Sequence, residues 1–208
     1  MNKGRFIALE GGEGAGKSTQ AMLLATALRA RGLEVVTTRE PGGTAGAEAI
    51  RALLLSTEGN GWQPRAEALL FAAARSDHVE RLIRPALERG AWVICDRFLD
   101  SSRAYQGGGG GLADADLLAL HQFGSMGLLP DQTLLIAVTP KIAAQRLALR
   151  DFDGPDRIGG RPESFHAAVA AAFARFAADD PGRFAVIDGD GPPESTHLAV
   201  MAALDRLA

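Results

Sequence analysis

Gly11-Gly12-Glu13-Gly14-Ala15-Gly16-Lys17-Ser18-Thr19 is the stretch whose reading decides the fold. It follows a short apolar segment, Phe6–Leu9, that reads as a strand, and it opens an amphipathic run, Ser18–Arg31, that reads as a helix. The string fits G-x-x-x-x-G-K-[ST] with both flanks in the required order. Its glycines let the backbone turn so that successive N–H groups face one concavity, a cradle for phosphate oxygens. The helix beginning near Lys17 adds the partial positive charge of its N-terminus. A lysine at this place reaches the β- and γ-phosphates, and the hydroxyl of Ser18 is a ligand for Mg²⁺. Residues 11–19 are therefore expected to hold a nucleoside triphosphate and magnesium.

Moving outward, short β-branched or aromatic runs alternate with longer helical patterns. Further strands are expected at Leu33–Thr38, Trp92–Cys95, Thr133–Val138 and Phe184–Ile187. Further helices are expected at Ala47–Leu55, Arg65–Arg89, Asp114–Phe123, Pro140–Arg150, Pro162–Ala178 and Glu194–Leu207. This alternation predicts a single α/β domain over residues 1–208, a five-stranded parallel sheet with helices on both faces. Two segments break the rhythm. Ser101–Leu112 carries five consecutive glycines, Gly107–Gly111, and reads as a mobile loop. Residues 150–162 read as a charged turn between two helices, punctuated by Gly and Pro.

Composition narrows the partners. The chain has 208 residues, 22 Lys and Arg against 25 Asp and Glu, and a net charge of −3. No basic excess of the kind that grips a nucleic-acid polymer is present. The single Cys95 lies in an apolar run and reads as a buried thiol in a reducing compartment. His78, His121, His166 and His197 are scattered, without zinc spacing. No apolar run approaches the ~18 residues of a membrane span, and the N-terminus shows no cleavage pattern. A soluble, cytoplasmic chain is expected.

A phosphate loop alone does not choose among nucleotide-binding classes. An Asn-Lys-x-Asp guanine motif and a Ser-Gly-Gly transporter signature are both missing. Asp156-Arg157-Ile158-Gly159 mimics a D-x-x-G switch but follows a helix, so it reads as incidental. Instead, Arg39 and Arg97 follow predicted strands, and Arg150 and Arg157 flank the charged turn. Ligands bind at strand carboxyl ends in open parallel sheets. Arginines gathered there suit two phosphate-bearing substrates and a migrating phosphoryl group.

Five segments in order then resemble the thymidylate kinase family, over nearly the whole chain. They are Glu10–Thr19; Thr38-Arg39-Glu40-Pro41-Gly42-Gly43-Thr44; Leu69–Arg75; Cys95-Asp96-Arg97-Phe98; and Asp100-Ser101-Ser102-Arg103-Ala104-Tyr105-Gln106-Gly107. The resemblance implies a three-layer P-loop nucleoside monophosphate kinase fold, transfer of the ATP γ-phosphoryl group to dTMP with Mg²⁺, and a homodimer. It implies a thymine-stacking role for Phe71, a donor to a thymine carbonyl in Arg75, and base-edge contacts from Ser102 and Gln106. Arg97 would hold the dTMP phosphate, with Arg39 and Arg51 as further candidates. Asp96 would support Mg²⁺ beside Ser18, and Tyr105 would pack where a ribose 2′-OH would sit. Glu13 and Glu40 would lie near the sugar and the acceptor phosphate. Residues 150–162 would be a lid, with Arg150 supplying the arginine that some relatives carry at Gly14-Ala15. Lys17, Arg97 and Arg150 are the expected catalytic residues.

Structural readings stand beside these. Phe71 could be core, Arg75 a solvated helix charge, and Arg97 a partner of Asp96. The chain also departs from common family residues: Gly110 and Ala170 replace arginines, Ala137 replaces an acid, and no acid follows Arg157-Ile158. Rival expectations are a kinase for another monophosphate and a non-catalytic nucleotide-binding protein. Glycine makes up 25 residues, about 12% against a norm of ~7%. Its clusters fall mostly in the segments assigned to phosphate, substrate and lid.

Overall fold

The computed structural model describes residues 4–150 and 156–205, with Arg150 described by its backbone alone. The strands are β1 (Phe6–Glu10), β2 (Val35–Arg39), β3 (Trp92–Asp96), β4 (Gln132–Ala137) and β5 (Phe184–Asp188). The helices are α1 (Lys17–Ala30), α2 (Ala45–Leu55), α3 (Pro64–His78), α4 (Arg84–Glu88), α5 (Leu99–Ser102), α6 (Asp114–Ser125), α7 (Pro140–Arg150), α8 (Glu163–Asp179) and α9 (Pro193–Leu204). Among the described residues the strands form one all-parallel sheet in the order β2-β3-β1-β4-β5.

Strand alternation explains the layers. Every residue of β1 is buried, as expected for a central strand covered on both faces. Ile7 and Leu9 join Leu24 and Leu28 of α1 and Val200 and Ala203 of α9 in one cluster. Phe6 and Ala8 join Val79, Ile83 and Ala86 in another. A third cluster seats Val169, Phe173 and Phe176 of α8 against Tyr105 and Leu135. Each fully buried large side chain contributes about 1.5–3 kcal/mol, so these clusters hold the scaffold rigid beneath its loops. Because β3 and β4 flank β1 and their connections leave in opposite directions, a crevice opens at the carboxyl end of β1.

Two expectations need correction. Residues 101–112 are not a mobile loop: α5 continues through wide π-type turns over Arg103–Gly109, with Ala104, Tyr105 and Gln106 buried. The glycines permit close contact with α8. A Cβ added to Gly108 would lie 2.6 Å from Ala172 Cβ, and one on Gly109 would enter the Phe165 ring. A glycine run signals flexibility only when nothing packs on it. The expected helix Arg65–Arg89 is likewise not uniform. It runs from Pro64 to Glu88 but widens into π turns at Val79–Ile83, just before Pro85, which lacks an N–H and crowds the preceding turn.

Candidate active site

The phosphate loop begins where β1 ends. Gly11, Gly14 and Gly16 have φ of 139°, 71° and 88°, values that an L side chain rarely adopts. Space adds a second demand at Gly14, where a Cβ would sit 2.7 Å from Ala143 O. Gly16 precedes α1 in the left-handed conformation, leaving the first N–H groups of the helix turned towards the loop. Lys17 is buried, and its Nζ donates to the carbonyls of Gly11 at 3.1 Å and Gly12 at 2.7 Å. Burial, with Arg97 beside it, pulls its ammonium down to about 8, opposed by Asp96, Glu13 and Glu10. An arriving phosphate anion would favour the charged form again.

Ser18 Oγ donates to Asp96 Oδ2 at 2.5 Å, joining the start of α1 to the end of β3. Two hard oxygen donors at a phosphate cradle fit Mg²⁺, which keeps several waters and takes few protein ligands. No cluster of three His, Cys, Asp or Glu able to cage a metal occurs among the described residues. Ser18 and Asp96 therefore fit Mg²⁺ shared with a substrate phosphate.

Arg97 follows β3 with φ of 70°, an outlier for a residue with a Cβ and a strain that clusters at functional sites. Its backbone N–H is held by Leu9 O. Its guanidinium donates to Gly11 O at 3.0 Å, Ser101 Oγ at 3.1 Å and Glu13 Oε1 at 2.6 Å, and lies 4.9 Å from the Tyr105 ring centroid. It is therefore not Asp96's partner, as the structural reading had it, but a bridge between the phosphate loop and α5. Burial opposes its charge, yet Tyr105, Glu13, Asp96 and Glu10 outweigh burial and hold it cationic. The Tyr105 hydroxyl also donates to Glu13 Oε1, at 3.2 Å, and burial pushes its phenol up so that it stays neutral.

Glu10, the last residue of β1, is fully buried and escaped sequence reasoning. It accepts from Phe98 N, Ser101 N and Ser101 Oγ at 2.8, 3.1 and 2.6 Å, capping α5. Burial, then the charge of Asp100, pushes its carboxyl up to about 7 against the pull of Ser101, Arg97 and Phe98.

Across the crevice, Arg75 is buried at 4% exposure, so it is no solvated helix charge. It donates to Glu40 Oε2 at 2.7 Å, Phe98 O at 3.1 Å and Ser102 Oγ at 2.9 Å. Glu40 Oε1 is 3.0 Å from His78 Nδ1, and His78 Nε2 is 2.7 Å from Thr38 Oγ1. A buried chain thus runs from β2 through α3 to α5. His78, read from sequence as one of four scattered histidines, is a link in it. Gln106 Nε2 donates to Glu67 Oε1 at 2.9 Å, and Arg161 pairs with the other Glu67 oxygen. Glu67 had no reading from sequence; the turns packing over α3 bury it.

One cavity of about 230 Å³ lies between the phosphate loop and these helices, and Phe71, Leu55 and Ile158 supply it with apolar surface. Lys17, Ser18, Glu13, Asp96 and Arg97 stand on its phosphate side, and Glu40, Arg75, Ser102, Tyr105 and Gln106 on the other. Arg39 and Arg51 reach its rim, Arg39 paired with Glu48 at 3.0 Å and Arg51 donating to Pro41 O at 2.8 Å. Asp156 also lines it and accepts from the N–H groups of Ile158 and Gly159, so its motif is a turn facing the site. The Arg150 side chain and residues 151–155 of the expected lid lie outside the described residues.

A triphosphate cradle on a five-stranded parallel sheet, with an arginine-lined cavity opposite, defines a P-loop nucleoside monophosphate kinase. The sequence model of the family described as thymidylate kinase matches residues 9–200. A thymidylate kinase of Rhizorhabdus wittichii is 58% identical over 204 residues, 98% of either chain. One of Bradyrhizobium diazoefficiens is 47% identical over 99% of this chain and 91% of its own. The crystal structure of thymidylate kinase from Ehrlichia chaffeensis superposes with a TM-score of 0.80 at 33% identity, covering 97% of this chain and 99% of that one. The chain belongs to the thymidylate kinase family.

Proposed function

We propose that the cavity seats dTMP with its base beside Phe71 and Arg75 and its phosphate towards Arg97, while ATP lies along residues 11–19. The chain is a dTMP kinase: it passes the γ-phosphoryl group of ATP to dTMP, giving dTDP and ADP. The observation that carries the base assignment is a pair of uncommitted atoms on cavity-lining residues. Among the described residues no group accepts from Arg75 Nη1 and none donates to Gln106 Oε1, and neither atom is sealed from solvent. A donor and an acceptor on the lining of one cavity suit the O4 and N3–H of thymine. Cytosine presents the reverse pattern and would leave both unpaired, a mismatch that hydrogen-bonding sites reject strongly.

The acceptor is already a phosphate oxygen, so no protein base is required. The new bond joins that oxygen to the γ-phosphorus as the bond to the β-phosphate bridging oxygen breaks. The chain's task is positioning and charge neutralisation. Lys17 holds the donor phosphates, Arg97 the acceptor phosphate, and Glu13 orients Arg97 while Tyr105 closes the sugar side. Ser18 and Asp96 would hold Mg²⁺, which supplies charge neutralisation on the phosphate oxygens when bound. Arg150, at the end of α7, is assigned to the γ-phosphoryl group during transfer.

The enzyme is further proposed to work as a cytoplasmic homodimer in dTTP biosynthesis. Leu69, Ala72 and Ala73 of α3 and Leu120, Phe123 and Gly124 of α6 form the apolar part of a groove completed by Ser76, Asp77, Glu80 and Arg81, and Phe123 is 91% exposed. Such a surface suits a partner rather than solvent. No helix among the described residues is long and apolar enough to cross a membrane. An ADP-coupled assay over dTMP, dUMP, dCMP and dGMP, with sedimentation of the same sample, tests both readings. Turnover restricted to dTMP and dUMP at dimer mass is expected. Preference for dCMP or dGMP refutes the base assignment, and a monomer refutes the dimer.

A further inference from the structure

We infer that Glu67 is a positioning residue that sets the enzyme's choice of base by fixing which end of the Gln106 amide faces the substrate. The inference rests on the placement of the thymidylate base proposed above. A glutamine amide can present either a carbonyl oxygen or an NH₂ group to a ligand, since the two ends have nearly the same shape. Left alone, Gln106 could turn to suit a base with a donor or one with an acceptor. Glu67 removes that freedom, because a carboxylate offers acceptors only. Its Oε1 takes the Gln106 NH₂ at 2.9 Å. The carbonyl Oε1 of Gln106 is then the end left for the cavity.

The neighbours make this arrangement firm. Glu67 and Gln106 are 4% and 2% exposed, so water does not substitute for either partner. The second Glu67 oxygen is taken by Arg161, whose guanidinium lies 4.6 Å from the Phe165 ring centroid at the start of α8. Anchored from both sides, the carboxylate cannot swing away to let the amide turn. A fixed acceptor favours a pyrimidine carrying N3–H, as in thymine or uracil, over cytosine, whose N3 is itself an acceptor. Discrimination of this kind comes from the unpaired groups the wrong base leaves behind. Glu67 does this from behind Gln106.

The test is Glu67→Gln, which keeps the shape but, with its carbonyl accepting from Arg161, turns an NH₂ donor towards Gln106, so that the Gln106 carbonyl is drawn away from the cavity. Steady-state kinetics with dTMP and dCMP should show the ratio of their kcat/KM values falling at least about tenfold, with dCMP turnover rising. Calorimetry should show that methylation of thymine N3 weakens dTMP binding strongly in the wild type and much less in the variant. A merely structural tie between α3 and α8 would lower both substrates' kcat/KM together. An unchanged ratio in a folded variant therefore overturns the inference while leaving the base assignment intact. A wild type that accepts dCMP as readily as dTMP overturns both. If Glu67→Gln does not fold, nitrogen-resolved NMR of the wild type bound to dTMP decides. Slow exchange of the Gln106 side-chain amide protons upholds the lock, and exchange at the rate of a solvated amide refutes it.

Discussion

Replacing Glu10 by Gln tests how far the buried carboxyl behind the phosphate loop governs stability. In the wild type this group is 0% exposed, and burial followed by Asp100 raises it from 4.5 to about 7. A carboxyl raised in the folded state binds its proton more tightly there than in the unfolded chain. Its contribution is therefore full below pH 4.5 and is lost as pH rises through about 7. Each tenfold difference in proton affinity between the folded and unfolded chain is worth about 1.36 kcal/mol. Moving from pH 5 to pH 8 should thus cost the wild type on the order of 2–3 kcal/mol through this residue. Gln keeps an acceptor for the Phe98 and Ser101 N–H groups and has no proton to lose. Urea unfolding followed by circular dichroism at pH 5, 6, 7 and 8 gives both stability profiles. His121, which burial lowers to about 4, works in the opposite direction between pH 4 and 6.5. It is present in both proteins and cancels in their difference. Lys17, lowered to about 8, begins to act only at the top of the range and is likewise present in both proteins. The difference between the profiles should grow in favour of Glu10→Gln by roughly 2–3 kcal/mol across the range. Parallel profiles would refute the assignment of a raised carboxyl at this position.

Other substitutions address the site and its support. Arg97→Ala should cut kcat/KM for dTMP by at least about a hundredfold, equivalent to roughly 2.7 kcal/mol of lost interaction; a loss of only a few-fold would displace the acceptor phosphate from this residue. Arg150→Ala should lower kcat more than it raises KM for dTMP, because the residue is assigned to the transition state; an intact kcat in single-turnover kinetics would remove it from the chemistry. Gly108→Ala should destabilise by about 1–3 kcal/mol, through the 2.6 Å approach to Ala172 Cβ, seen as a fall of several degrees in the thermal midpoint. A higher midpoint would mean that helix propensity outweighs the clash.

The sheet, the phosphate loop and the cavity-lining arginines were legible because their signals are local. Strand runs, glycine spacing and residues at strand ends can be read within ten positions of one another. The side of the cavity proposed for the base was reached only through resemblance, since nothing in the spacing of Phe71 and Arg75 distinguishes a substrate face from a core face. What escaped depends on distant segments meeting. Glu67 and His78 become buried only when the Arg103–Gly109 turns and β2 close over α3. Glu10 becomes a cap only because α5 starts beside the end of β1. The glycine run was misread for the same reason: its meaning lies in α8, more than fifty residues further on.

That seam has an evolutionary consequence. Position 108 shares its space with 172, and position 109 with the ring at 165. Only the loss of the Ala172 Cβ, or a shift of α8, makes room for a side chain at 108. The pairs are therefore bound to change together across descendants of this chain. A lineage that fills positions 108 and 109 must first thin or move α8.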